Sequence, residues 1–75
     1  MDKRLPILKA RDVIRMLREI GFEEVRQTGS HLILKHKDGR MTLVPRHGGE
    51  DIGRGLLGRI LHEIHLTPED FSVYM

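Results

Sequence analysis

His31 and His36 stand five residues apart in the stretch RQTGSHLILKH, residues 26–36, just after a Gly-Ser pair. Two histidines this close first suggest a metal site. An odd spacing on one strand points the two rings to opposite faces, so they cannot share an ion without a bulge. His47 could join one of them, but no acid is placed as a third ligand and the chain has no cysteine. His62 and His65 lack the flanking pattern of a zinc site as well. No metal and no cofactor is expected.

His31 has a different chemistry open to it. It begins a strand beside a tight glycine turn, with Lys35 further along and Arg46 expected opposite. Cations beside an imidazole favour its neutral form. A neutral imidazole next to phosphate-binding side chains is what the deprotonation of an RNA 2′-hydroxyl requires. The cations, Arg46 and Lys35 with Arg26 extending the track, would hold the phosphate and stabilise charge on its oxygens. The residues alone leave the alternative open that His31 is an exposed histidine without a role, because no second acid or base is evident.

These side chains must be positioned by a small set of elements. Ala10, Val13, Ile14, Leu17 and Ile20 follow helical spacing and predict a helix over 9–20 with one apolar face. Arg11, Arg15 and Arg18 form a stripe beside that face, expected to be solvated. Gly21 ends the helix with a positive φ. Three short strands follow, at 24–28, 31–36 and 41–45. Gly29-Ser30 suits a type II′ turn, and Asp38-Gly39 a two-residue type I′ turn.

The two turns together fix a register. His36 should face Met41, Leu34 should face Leu43, Leu32 should face Pro45 and His31 should face Arg46. Val25 should face Leu34. One sheet face then holds Val25, Leu32, Leu34, Met41 and Leu43 and should pack on helices. The other holds Arg26, Thr28, His31, Ile33, Lys35, Thr42, Val44 and Arg46. His36 ends the core-facing row and is expected to be structural. Ile33 and Val44, side by side among basic residues, suggest a protein-docking patch whose occupant would cover His31.

Residues 46–53 are expected to form a loop. A second helix is predicted from about 54 to 64, with Leu56, Leu57, Ile60, Leu61 and Ile64 inward. Gly58 inside it suggests a closely packed neighbour. Thr67-Pro68-Glu69-Asp70 opens a last short helix, with threonine as cap and proline in the first turn. The order is α-β-β-β-α with an appended helix, a single α+β domain over residues 1–75.

Size and composition set limits on all this. A chain of 75 residues has no room for a deep substrate cavity, so any site lies on the surface or between subunits. The net charge is +2, which permits a nucleic-acid partner without demanding one. Aromatics are confined to Phe22, Phe71 and Tyr74, so base-stacking platforms are not expected. No run approaches a membrane span or a signal peptide. The absence of cysteine fits a reduced, cytoplasmic setting.

The ordered set of features resembles the HicA-type toxins, also called the YcfA-like family. It comprises a helix ending in Gly-Phe, then Val-Arg-Gln-Thr-Gly-Ser-His, four residues, His, Asp-Gly, Val-Pro-Arg-His, and a later helix carrying Leu-Gly-Arg-Ile-Leu. It runs from about residue 7 to 71. The resemblance implies a fold like that of double-stranded-RNA-binding domains, with a three-stranded antiparallel sheet and two helices on one face. It also implies metal-independent mRNA cleavage and neutralisation by a HicB-type antitoxin. His31 then matches the catalytic histidine of Gly-Ser-His, and Ser30 joins Arg26, Lys35 and Arg46 among the RNA contacts. His36 and His47 match recurrent positions without an assigned role. The usual glycine at the end of the later helix is His65 here. Two other readings stand beside this one: a non-catalytic RNA-binding module of the same fold, and a protein-interaction domain using Ile33 and Val44.

Overall fold

The computed structural model describes residues 5–46 and 51–75. The element order is β1 (Leu8–Lys9), α1 (Ala10–Ile20), β2 (Phe22–Thr28), β3 (His31–His36), β4 (Met41–Pro45), β5 (Asp51–Ile52), α2 (Arg54–Glu63) and α3 (Pro68–Ser72). The predicted α+β class and the α-β-β-β-α layout hold: β2, β3 and β4 form an antiparallel sheet in that order. The expected loop over 46–53 needs amending, because Asp51–Ile52 pairs with Leu8–Lys9 as a second, two-stranded sheet. His47 lies outside the described residues.

α1 buries Ala10, Val13, Ile14 and Leu17 as its periodicity demands, and Met16 in addition, while Ile20 is only half-buried. α2 buries Leu57, Ile60 and Leu61, with Ile64 just beyond its end, and Leu56 is half-buried. Both helices pack on the sheet face that carries Leu32, Leu34 and Val44, and Phe22 and Phe71 complete the core. α3 begins as predicted. Thr67 Oγ1 accepts from the Asp70 N–H at 3.1 Å, and the Asp70 carboxylate accepts from the Thr67 N–H.

The β3–β4 register differs from expectation by one residue. The observed partners are His31↔Pro45, Leu32↔Val44, Ile33↔Leu43, Leu34↔Thr42 and Lys35↔Met41. The reason lies in the turn. Gly39 has φ +103°, but Asp38 does not take a positive φ, as a type I′ turn would require of both central residues. The Asp38 carboxylate instead accepts the Arg40 N–H at 3.0 Å, and His36 Nδ1 accepts the Asp38 N–H at 3.1 Å. These bonds hold a three-residue loop, closed by His36 N–H to the Arg40 carbonyl at 2.8 Å, with Gly39 at the bulge position. The Arg40 N–H also holds the Asp38 carboxyl below its ordinary pKa.

One extra loop residue turns every β4 side chain to the other face. Thr42 and Val44, expected outside, are buried; Met41, expected inside, is exposed and Leu43 half-exposed. The buried Thr42 hydroxyl donates to Glu63 Oε1 at 2.7 Å, which satisfies it within the core and ties β4 to α2.

The β2–β3 turn behaves as expected. Gly29 has φ +60° and Ser30 does not, the type II′ pattern. Pairing starts in the predicted register at Thr28↔His31 and runs to Arg26↔Ile33, then shifts. Val25 is the bulged residue, and Glu24 rather than Val25 faces Leu34. Val25, placed in the core by the sequence reading, is therefore 55% exposed. The bulge also lets β2 begin at Phe22, whose ring enters the core.

Candidate nucleic-acid interface

The helix-free face of the sheet carries Glu23, Arg26, Thr28, His31, Ile33, Lys35, Met41, Leu43 and Pro45, by alternation from the observed register, with Glu23 directly opposite Lys35. His31 is exposed and lies between Thr28 and Pro45. The turn before it is braced from two directions. The Gln27 side-chain amide donates to the Gly29 carbonyl at 3.1 Å, and the Arg46 N–H donates to the Ser30 carbonyl. The backbone leading into His31 is thus fixed while the imidazole itself stays open to solvent.

The cations arrange themselves differently from the sequence reading. Arg46 does not face His31. Its side chain turns to the helix side, where Nη1 donates to Glu24 Oε1 at 3.3 Å. This follows from the shifted register, which hands the place opposite His31 to Pro45. Of the three candidate cations, Arg26 stands closest instead. Its direct partner is Ile33, which puts His31 on the diagonal, about 7–8 Å away for Cα positions in an antiparallel pair. Lys35 shares the face but lies four residues along the strand, about 13 Å from His31 at strand rise.

The apolar part of the face also changes membership. Val44 is fully buried and is withdrawn from the docking patch; Leu43 takes its place beside Ile33. Ile33, Met41, Thr42, Leu43 and Glu63 line a shallow hollow of about 150 Å³ at the β4 edge. Val25 adds to the exposed apolar surface of the sheet.

His36 is structural, as expected. It is mostly buried, its ring meets Phe22 edge-on with centroids 5.1 Å apart, and Nδ1 is occupied by the Asp38 N–H. Arg40 stacks over the other side of this cluster, 5.2 Å from the Phe22 centroid, and donates to the Ile64 carbonyl at 2.6 Å. His65 takes φ +60° where the α2 chain reverses. The His65 and Leu66 N–H groups return to the carbonyls of His62 and Leu61, the bonding of a Schellman cap. Among the described residues no group of three histidine, aspartate or glutamate side chains is placed to hold a metal ion.

Two contributors to this site escaped the sequence reading. Gln27 braces the turn, and only its place two residues before Gly29 hinted at it. Glu24 anchors Arg46 and also Arg18, whose guanidinium meets Glu24 Oε2. A lone glutamate in a charged strand gives no such signal, because the bulge that turns it under the sheet is not readable.

No helix of the described residues is long and apolar enough to cross a membrane. No curated relative matches the sequence. Residues 10–66 match the family model described as the HicA toxin of bacterial toxin–antitoxin systems. That match covers most of the chain and includes the helix, the braced Gly-Ser-His turn, the whole sheet and α2. The chain belongs to the HicA toxin family, whose members are paired with an antitoxin.

Proposed function

We propose that this chain is a metal-independent endoribonuclease that cleaves messenger RNA in the cytoplasm, with His31 as the proton-transferring group. The observation that carries the reading is an imidazole held on a braced turn, open to solvent, on a face that also bears Arg26 and Lys35. His31 takes the proton of a ribose 2′-hydroxyl. The 2′-oxygen then attacks the adjacent phosphorus, a 2′,3′-cyclic phosphate forms, and the 5′-oxygen leaves with a proton returned from the imidazolium. Arg26 holds the reacting phosphate, a role first expected of Arg46. Lys35 contacts the backbone one or two nucleotides away, and Ser30 offers its hydroxyl beside the turn.

A HicB-type antitoxin would neutralise the toxin by docking on the same face. Ile33, Met41 and Leu43 supply its apolar anchor, and the hollow at the β4 edge takes one of its side chains. Such docking buries His31 and Arg26 without touching the core.

The test is RNA cleavage by the wild type and His31→Ala in the presence of a chelator. A general base contributes about 10²- to 10⁴-fold in rate, so the variant should lose that much while remaining folded. Equal cleavage by both proteins would remove His31 from the mechanism. One observation favours a second reading, a non-catalytic RNA-binding module: the cross-strand neighbours of His31 are Thr28 and Pro45, not a second acid or base. That reading requires a folded wild type that binds RNA and leaves it intact.

A further inference from the structure

The helix side of the β2–β3 hairpin carries a second basic feature that cleavage at His31 does not use. Glu24 projects there, and each of its carboxylate oxygens meets a different arginine: Oε1 takes Arg46 and Oε2 takes Arg18. The carboxylate is largely enclosed, at 24% side-chain exposure, whereas Arg18 and Arg46 remain 58% and 44% exposed. Two guanidiniums repel one another unless an anion lies between them, so Glu24 is what keeps them adjacent. Among the described residues, one carboxylate against two arginines leaves the cluster with a surplus of one positive charge. Each guanidinium has five N–H donors, and each spends few of them on Glu24. Both side chains stay partly exposed, and guanidinium donors turned away from a carboxylate suit a phosphodiester.

The location ties this cluster to His31. The Arg46 N–H is bonded to the carbonyl of Ser30, the residue before His31. The cluster therefore sits behind the same hairpin whose front carries Arg26 and His31. A rigid duplex cannot touch both faces of this end of the sheet at once. A flexible single strand can, by passing around it. Arg15 and Arg11 continue the basic line along α1 beyond Arg18; Arg15 is paired with Glu19, and both are exposed.

We propose that Glu24 holds Arg18 and Arg46 as a phosphate cradle on the back of the β2–β3 hairpin, and that one single-stranded RNA wraps the hairpin from this cradle to His31. Glu24 is a positioning residue here, and the two arginines are the contacts. The inference rests on the ribonuclease reading above and specifies its substrate as unpaired RNA.

The experiment measures binding of a 2′-O-methylated single strand, which cannot be cut, across a range of salt concentrations. The proteins are the wild type, Arg18→Gln/Arg46→Gln and Arg26→Gln. Loss of one phosphate contact lowers the slope of log K against log salt by about 0.7 for a single strand. The double variant should show that drop and bind roughly tenfold or more weakly at low salt, because charge-assisted contacts are lost. A duplex of the same sequence should be indifferent to the double substitution. Should the glutamine pair fail to fold, Arg18→Lys/Arg46→Lys keeps the charge, and loss of the planar forks alone should weaken binding several-fold. Wild-type slope and affinity in the double variant, with Arg26→Gln weakened, overturn the cradle and leave the ribonuclease reading standing. Equal sensitivity of duplex and single strand overturns the wrapped path. A wild type that binds no RNA overturns both proposals.

Discussion

Replacing Gly21 by alanine should be among the most damaging single-methyl changes in this chain. Gly21 closes α1 with φ +121° and leads directly into Phe22. A Cβ there would lie 2.8 Å from His36 Nε2 and 3.2 Å from its Cδ2. The first cost is conformational, about 1–3 kcal/mol for an L-residue in this region. The second is steric. The His36 ring cannot swing away freely, because Phe22 meets it edge-on and Nδ1 holds the Asp38 N–H. Displacing it forfeits a hydrogen bond of about 1 kcal/mol and an aromatic contact of about 0.5–1.5 kcal/mol. Alanine restricts the unfolded chain and returns about 0.4–1 kcal/mol. The net loss is about 2–4 kcal/mol, against a total stability of about 4–11 kcal/mol for a domain of this length. At about 4–8 °C per kcal/mol the melting temperature should fall by roughly 8–32 °C.

A double-mutant cycle separates the two costs. Urea unfolding followed by circular dichroism, on Gly21→Ala, His36→Ala and the double variant, gives the coupling directly. In the His36→Ala background only the backbone cost remains, so Gly21→Ala should cost about 1.5–2.5 kcal/mol less than in the wild type. A loss below about 1 kcal/mol in the wild-type background would refute the strain. The same loss in both backgrounds would refute the contact with His36.

Gly58→Ala should stabilise the fold by up to about 1 kcal/mol, because among the described residues the added Cβ meets only Leu5 Cδ1 at an ordinary 3.9 Å; a lowered melting temperature would mean that a neighbour does require glycine there. His65→Gly should relieve about 1–2 kcal/mol of left-handed strain and give back about 0.4–1 kcal/mol in unfolded-state entropy, raising the melting temperature by a few degrees in a thermal scan. Leu43→Lys should leave the chain folded and abolish antitoxin binding in a pull-down with the cognate antitoxin. Val44→Lys buries a charge at a fully enclosed position and should unfold the chain. The reverse pair of outcomes would restore the register expected from a two-residue turn.

The helices were legible because their signals are local and repeated. Val13, Ile14 and Leu17, and Leu57, Ile60 and Leu61, each satisfy helical spacing several times over, so one error changes little. The Gly29-Ser30 turn was legible for another reason: a two-residue loop with glycine first leaves few conformations. Asp38-Gly39 carried an equally strong turn signal and misled. Its outcome depended on whether Asp38 would bind its own neighbourhood, and the Arg40 N–H and His36 Nδ1 settled that in favour of a longer loop. A period-2 pattern could not arbitrate. Met41, Leu43 and Pro45 form one apolar row, Thr42 and Val44 the other, and either looks fit for a core.

That ambiguity decided the chemistry as well as the packing. With the expected register Arg46 would stand beside His31 and Glu24 would face Lys35 on the open side. Lengthening the turn by one residue removes Arg46 from the open face, and the bulge at Val25 sends Glu24 beneath the sheet to meet it. Neither change alone brings the pair together. Among the described residues, the open face is left with Arg26 as the cation nearest His31. Arg26 was expected only to extend the phosphate track, because the expected register gave the place opposite His31 to Arg46. Its importance follows only from the diagonal geometry of an antiparallel pair. If phosphate binding at the reacting centre depends on Arg26, then Arg26→Gln should lower the cleavage rate. Arg46→Gln should weaken RNA binding with a smaller effect on the rate at saturating RNA, because it acts on a phosphate away from the bond being broken.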